Sequence, residues 1–67
     1  MRVKASDLYP GQVVTLEYGA PDNWIRFTVD QVIPFEKMVT VKCHSQEMET
    51  DFSCQKEELV EVCDEQR

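Results

Sequence analysis

Apolar and polar residues alternate with a period of two along five stretches of this chain, and nowhere is the 3.6-residue period of an amphipathic helix sustained. The pattern predicts an all-β domain of five short strands. In the first run, residues 12–18, Val14, Leu16 and Tyr18 fall on one face. In the second, 24–33, Ile25, Phe27, Val29 and Ile33 point one way, while Trp24, Arg26, Thr28 and Asp30 point the other. The third, 38–44, turns Val39, Val41 and Cys43 inward and Thr40, Lys42 and His44 outward. The fourth, 48–54, turns Met48, Thr50, Phe52 and Cys54 inward, and the last, 59–63, offers Val60 and Val62.

Turn chemistry separates the runs. Pro10 fixes one φ and Gly11 is free to take a positive one, which suits a tight turn ahead of the first strand. Residues 19–23 are turn formers except Ala20 and read as a loop. Pro34 cannot donate to a ladder, so the second strand is expected to stop by Ile33. A tip at Gln46 and Glu47 satisfies both faces of the next hairpin. Inside, Cys43 then faces Thr50, Val41 faces Phe52 and Val39 faces Cys54; outside, Lys42 faces Asp51 and His44 faces Glu49. Residues 55–58 make a short turn, read as one turn of 3₁₀ helix, and the charged end from about residue 64 is expected to fray.

Composition narrows the class. A chain of 67 residues with 42% hydrophobic content has room for one small domain, residues 1–67, near the lower size limit for folding without disulfides or metals. The N-terminus lacks an apolar leader and no run approaches a membrane span, so a cytoplasmic protein without membrane contact is expected.

Charge is unevenly distributed. The net charge is −6. Residues 47–65 hold eight acids (Glu47, Glu49, Asp51, Glu57, Glu58, Glu61, Asp64 and Glu65) against Lys56, whereas residues 1–46 balance five acids with five bases. After Lys42 and His44 offset Asp51 and Glu49, the unpaired excess falls on Glu57, Glu58, Glu61, Asp64 and Glu65. A solvated face that keeps a small domain soluble accounts for such a patch. The functional alternative is a surface for a basic partner. Alternate carboxylates on a strand stand about 7 Å apart, close to the phosphate step of a nucleic-acid strand, so mimicry of DNA toward a nucleic-acid-binding protein is one form of it.

Candidate chemistry is sparse. Cys43, Cys54 and Cys63, spaced by 11 and 9, match neither a zinc knuckle nor a redox pair and read as reduced thiols. Cys43 and His44 are adjacent on a strand, so their side chains diverge and cannot act as nucleophile and base. The same divergence separates His44 from Cys43 and Cys54 as metal ligands. No catalytic residues, cofactor or metal site are therefore expected. Trp24, with Tyr9, Tyr18 and Phe35, offers an aromatic platform for stacking bases, or else rings that cap the barrel ends.

Two segments carry a family resemblance. ASDLYPGQVVTLEYG resembles the opening of the KOW-like N-terminal domain of elongation factor P, and ETDFSCQKEELVEV resembles that domain's ending. The resemblance spans about residues 5–62 and implies a five-stranded SH3-like (KOW-like) small barrel. It also places Lys37 at the position of the lysine that, in that family, reaches toward the ribosome's catalytic centre. Here Glu36 and Met38 flank it where the family has glycines in a longer loop. Lone acidic barrels of this size also resemble small proteins of phage and bacterial genomes.

Together these readings suggest a non-enzymatic binding module or inhibitor, monomeric or weakly dimeric, whose partner is a protein with a basic surface. Glu57, Glu58, Glu61, Asp64, Glu65 and Trp24 are its candidate contacts. Direct nucleic-acid binding is disfavoured by the acidic charge. The alternative is an RNA- or ribosome-associated module working through Lys37, Arg26 and the aromatics.

Overall fold

The alternating runs fold as antiparallel strands in a computed structural model that describes residues 1–63. In chain order they are β1 (Arg2–Lys4), a 3₁₀ turn (Ala5–Asp7), β2 (Val13–Glu17), β3 (Trp24–Phe35), β4 (Met38–His44), β5 (Glu49–Gln55) and β6 (Leu59–Glu61). Strands β2 to β5 form a meander in one curled four-stranded sheet, and β1 pairs with β6 in a second sheet. The fold is all-β and barrel-like, with no α-helix among the described residues.

Alternation placed the core. Val14, Phe27, Val29, Val39, Val41, Cys43, Val60 and Val62 are buried in one cluster with Ala5 and Leu8, and Leu16, Ile25, Met48, Phe52 and Cys54 pack against it. The β4–β5 register is the expected one at every position, from Val39 opposite Cys54 to His44 opposite Glu49. Ser45 N–H donates to Met48 C=O at 2.8 Å, which closes the tip at Gln46 and Glu47. At the entry to β2, Gln12 N–H donates to Tyr9 C=O at 3.2 Å and Gly11 takes φ +94°, the conformation that the Pro-Gly pair anticipates.

Four features depart from expectation. First, the described residues form six strands, because Arg2–Lys4 pairs with β6 through Arg2–Glu61, Val3–Val60 and Lys4–Leu59. One apolar residue between two bases is too short a run to show a period. Second, Val29 pairs with Cys43 while Gln31 pairs with Lys42, so Asp30 is an extra residue in β3. This bulge flips the strand's phase. Val32 packs on the core opposite Val41, and Ile33, expected inside, is exposed. Third, β3 does not stop before Pro34 but runs to Phe35, which closes the hairpin against Met38. Pro34 then sits in the non-hydrogen-bonded pair next to the turn, and β2 covers β3 only as far as Thr28, so neither neighbour needs its missing N–H. Fourth, the 3₁₀ turn lies at Ala5–Asp7, while residues 55–58 form a plain turn with Glu58 N–H on Gln55 C=O at 3.1 Å.

Two outcomes follow for stability. An added Cβ at Gly11 meets nothing within 4 Å, so the cost of Gly11→Ala is backbone strain alone. Urea unfolding should place it at about 1–2 kcal/mol. Val32→Ala should destabilise by about 1–2 kcal/mol while Ile33→Ala stays within about 0.5 kcal/mol; the reverse order in the same assay would place the bulge elsewhere.

Candidate functional site

The site begins where the barrel fails to close. At the start of β2, Val13 C=O accepts Cys63 N–H at 2.9 Å, and just past β6, Val62 N–H donates to Met1 C=O at 2.7 Å. Antiparallel backbones alternate the side on which each residue bonds. Thr15 and Glu17 therefore direct their backbone groups away from β3 and toward β6, and Leu59 and Glu61 direct theirs toward β2. Yet among the described residues β2 is joined to the chain after β6 by the isolated bridge Val14–Val62 alone, which uses Val13 C=O and Thr15 N–H. Past that bridge the strands part, and the gap widens into a groove of about 630 Å³.

Three strands bound this groove. Thr15, Leu16 and Glu17 of β2 form one bank; Phe52, Ser53 and Cys54 of β5, at the edge of the four-stranded sheet, form the other. Leu59, Val60 and Glu61 of β6 lie between them, with Glu58 and Arg2 at the rim. Trp24, opposite Glu17 in the β2–β3 ladder, stands at the mouth and is 56% exposed, as is Leu59. An apolar floor of inward-facing Leu16, Phe52 and Val60 thus meets a rim with three carboxylates and one guanidinium.

The groove brings together Trp24, Glu58 and Glu61, three of the contacts expected from sequence. Glu57 lies outside it, and Asp64 and Glu65 lie outside the described residues. The unpaired acidic patch needs correction. Lys4 Nζ lies 3.2 Å from Glu57 Oε1, and Glu61 takes the α-amino group of Met1 at 2.9 Å and Arg2 Nε at 3.4 Å. The cations come from β1, the strand that the alternation does not reveal, and from the residue before it. Of the three described acids in the patch, only Glu58 forms no ion pair among the described residues.

His44 is also re-partnered. Its Nδ1–H donates to both Asp30 oxygens, at 2.8 and 2.9 Å, rather than to Glu49. Asp30 is the extra residue between Val29 and Gln31, two positions from Thr28, the partner of His44 in the ladder, and its carboxylate lies on the outer face beside the ring. Cys43 faces the core and His44 the outer face, as adjacent strand positions must. Burial, then the Asp30 and Asp51 carboxylates, push the Cys43 thiol above its ordinary range; burial, then Glu58, does the same at Cys54. Both are protonated and weakly nucleophilic at neutral pH. Cys63 Sγ lies 3.1 Å from Thr15 Oγ1 at the narrow end of the seam.

The remaining aromatics do not form a platform. Tyr18 packs edge-on against Phe27 with centroids 6.1 Å apart, Tyr9 precedes the Pro10 turn, and Phe35 caps the far end of the β3–β4 hairpin. Among the described residues, no group of three or more His, Cys, Asp or Glu side chains is placed to hold a metal ion, and no helix is long and apolar enough to cross a membrane. Compared with protein-family models, curated proteins and solved structures, the chain gives no match.

Glu61 gives the rim a pH dependence. The hydrogen bond and charge of the α-amino group, then those of Arg2, hold its carboxyl below the usual glutamate range. A lowered folded value means that the contact stabilises the β1–β6 pair above the unfolded value and is lost as pH falls through the folded one. NMR titration should find Glu61 ionising below the ordinary range. Acetylating the α-amino group should raise that value more than Arg2→Gln does, and equal shifts would show that the guanidinium matters as much as the amine.

Proposed function

We propose that this chain is a non-enzymatic acidic binding module, built on the plan of an SH3-like or KOW-like barrel, that acts by contact with a protein partner presenting a basic surface. The observation that carries the reading is the groove: residues as far apart in sequence as Arg2, Glu17, Trp24 and Glu61 converge on one apolar floor. Such a floor with a charged rim and an exposed tryptophan is the anatomy of a contact surface. The net charge of −6 adds long-range attraction for a basic partner and repels a phosphate backbone. A four-stranded meander, a short turn and a last strand returning beside the first support the resemblance to the N-terminal domain of elongation factor P at the level of fold.

A nucleic-acid-binding protein is one partner of this kind. Glu49 and Asp51 alternate on the outer face of β5, with Glu47 in the tip before them, and begin a phosphate-like row, but the row ends at Ser53. The second reading, an RNA- or ribosome-associated module, draws on Lys37 beside Phe35, which is 71% exposed. Against it, Lys37 occupies a two-residue turn and its C=O accepts Lys56 N–H at 3.0 Å, so the tip is tied down. Arg26 and Lys37 also lie near opposite ends of the 12-residue β3.

The test is capture of the chain by an immobilised polyarginine surface, with an RNA gel shift alongside. Binding should weaken as salt rises, and the double variant Trp24→Ala, Glu58→Gln should lose about tenfold, or ~1.4 kcal/mol. An RNA shift of comparable affinity, abolished by Lys37→Ala, would favour the second reading.

A further inference from the structure

We propose that the seam between β2 and β6 takes up an extended segment of the partner by strand addition onto the free edge of β2, and that this segment alternates Lys or Arg with aliphatic residues. The inference rests on the reading of the chain as a module for basic proteins and specifies how that partner is held.

Backbone geometry supplies the first argument. The bridge at Val14 and Val62 takes up the groups that flank it, Val13 C=O and Thr15 N–H; beyond it Thr15 C=O and the N–H and C=O of Glu17 face the seam with no ladder partner in β6. A segment in extended conformation satisfies such an edge residue by residue, as side chains on a folded surface cannot.

The side-chain pattern of β2 supplies the second. Leu16 faces inward, over the floor shared with Phe52, whereas Glu17 faces outward beside Trp24. A strand paired with β2 inherits that alternation. The residue beside Leu16 meets apolar surface, and the one beside Glu17 meets a carboxylate and the face of an indole. An aliphatic side chain suits the first position. A lysine or arginine suits the second, where an ion pair and a cation–π contact act together.

Charge excludes the competing occupants. Arg2 is engaged by Glu61, and Glu17 Oε2 accepts the Asp22 backbone N–H at 2.7 Å, so Glu17 and Glu58 are the rim carboxylates without a cationic partner among the described residues. A second copy would bring its own Glu17 against this edge, and a nucleic acid would bring phosphates. A basic strand alone gains from both the edge and the rim.

The probe is an end-blocked heptapeptide alternating Lys and Val, titrated into the full chain with Trp24 fluorescence and amide chemical shifts as readouts. Two control peptides accompany it, one with Glu for Lys and one N-methylated on alternate backbone amides. The Lys-Val peptide should shift and protect the Glu17 amide, the Glu peptide should not bind, and N-methylation should weaken binding at least about tenfold. Glu17→Lys should reverse the preference between the Lys and Glu peptides, and Trp24→Ala should weaken the Lys peptide while the amide shifts of the free chain change only around the missing ring. Equal affinity for the N-methylated peptide overturns strand addition. Shifts confined to the surface around Glu49 and Asp51 overturn the seam as the site while leaving the acidic module standing. Failure of the Lys peptide to perturb any amide overturns both.

Discussion

The single bridge between Val14 and Val62 is the contact on which the rest of the architecture depends. Its surroundings explain why so short a contact suffices. Gly11 N–H donates to Val29 C=O and Val29 N–H to Gln12 C=O, each at 2.8 Å, while Cys63 N–H reaches Val13 C=O at 2.9 Å. The start of β2 is therefore gripped by β3 on one side and by the end of β6 on the other. The turn before it depends on Gly11 at φ +94°, where a residue with a Cβ is strained. Fixing β2 at this end leaves its other end free to follow the curl of the four-stranded sheet away from β6. The groove is thus a consequence of closing the barrel at one point only.

How far the sequence revealed this depended on whether a feature repeats. Period-two alternation is repeated evidence, and it placed nearly every buried residue, the Gln46–Glu47 tip and the whole β4–β5 register. A bulge is a single event. Nothing in 24–33 distinguishes Asp30 as the supernumerary residue, because its effect appears only when β4 is laid beside it and Cys43 and Lys42 take partners two residues apart in β3. Strict alternation puts Ile33 on the wrong face for that reason, and it makes Pro34 a stop because the ladder position that tolerates a proline is set by the length of the following turn. β1 was missed because three residues cannot display a period and two of them are charged.

The same missed strand changed the electrostatic picture. Sequence located the acidic excess and singled out Trp24, Glu58 and Glu61, and these do share one groove. Sequence alone did not show that Arg2 and Lys4, some 55 residues earlier, return to meet Glu61 and Glu57. Pairing at this exposure is worth little stability. Its larger effect is on pattern: the outer side of β6 is partly neutralised, and the carboxylates near the seam that have no cation among the described residues are Glu17 and Glu58. A broad negative face has become a narrow, directed one.

An open strand edge is ordinarily a hazard, since any extended chain, including another copy of the same protein, can add to it. Charge on the edge is a common remedy, and Glu17 at the edge with Glu61 across the seam supply it here. The remedy is selective. Two carboxylates brought together across a shared edge repel, whereas a lysine or arginine in the same place is attracted, so the groups that discourage self-pairing leave the edge open to strands of opposite charge. Trp24 strengthens the discrimination, because its ring face attracts a cation and offers nothing comparable to a carboxylate. The charges that frame the seam therefore oppose pairing with a second acidic strand and would favour a basic one without any change in the strands themselves.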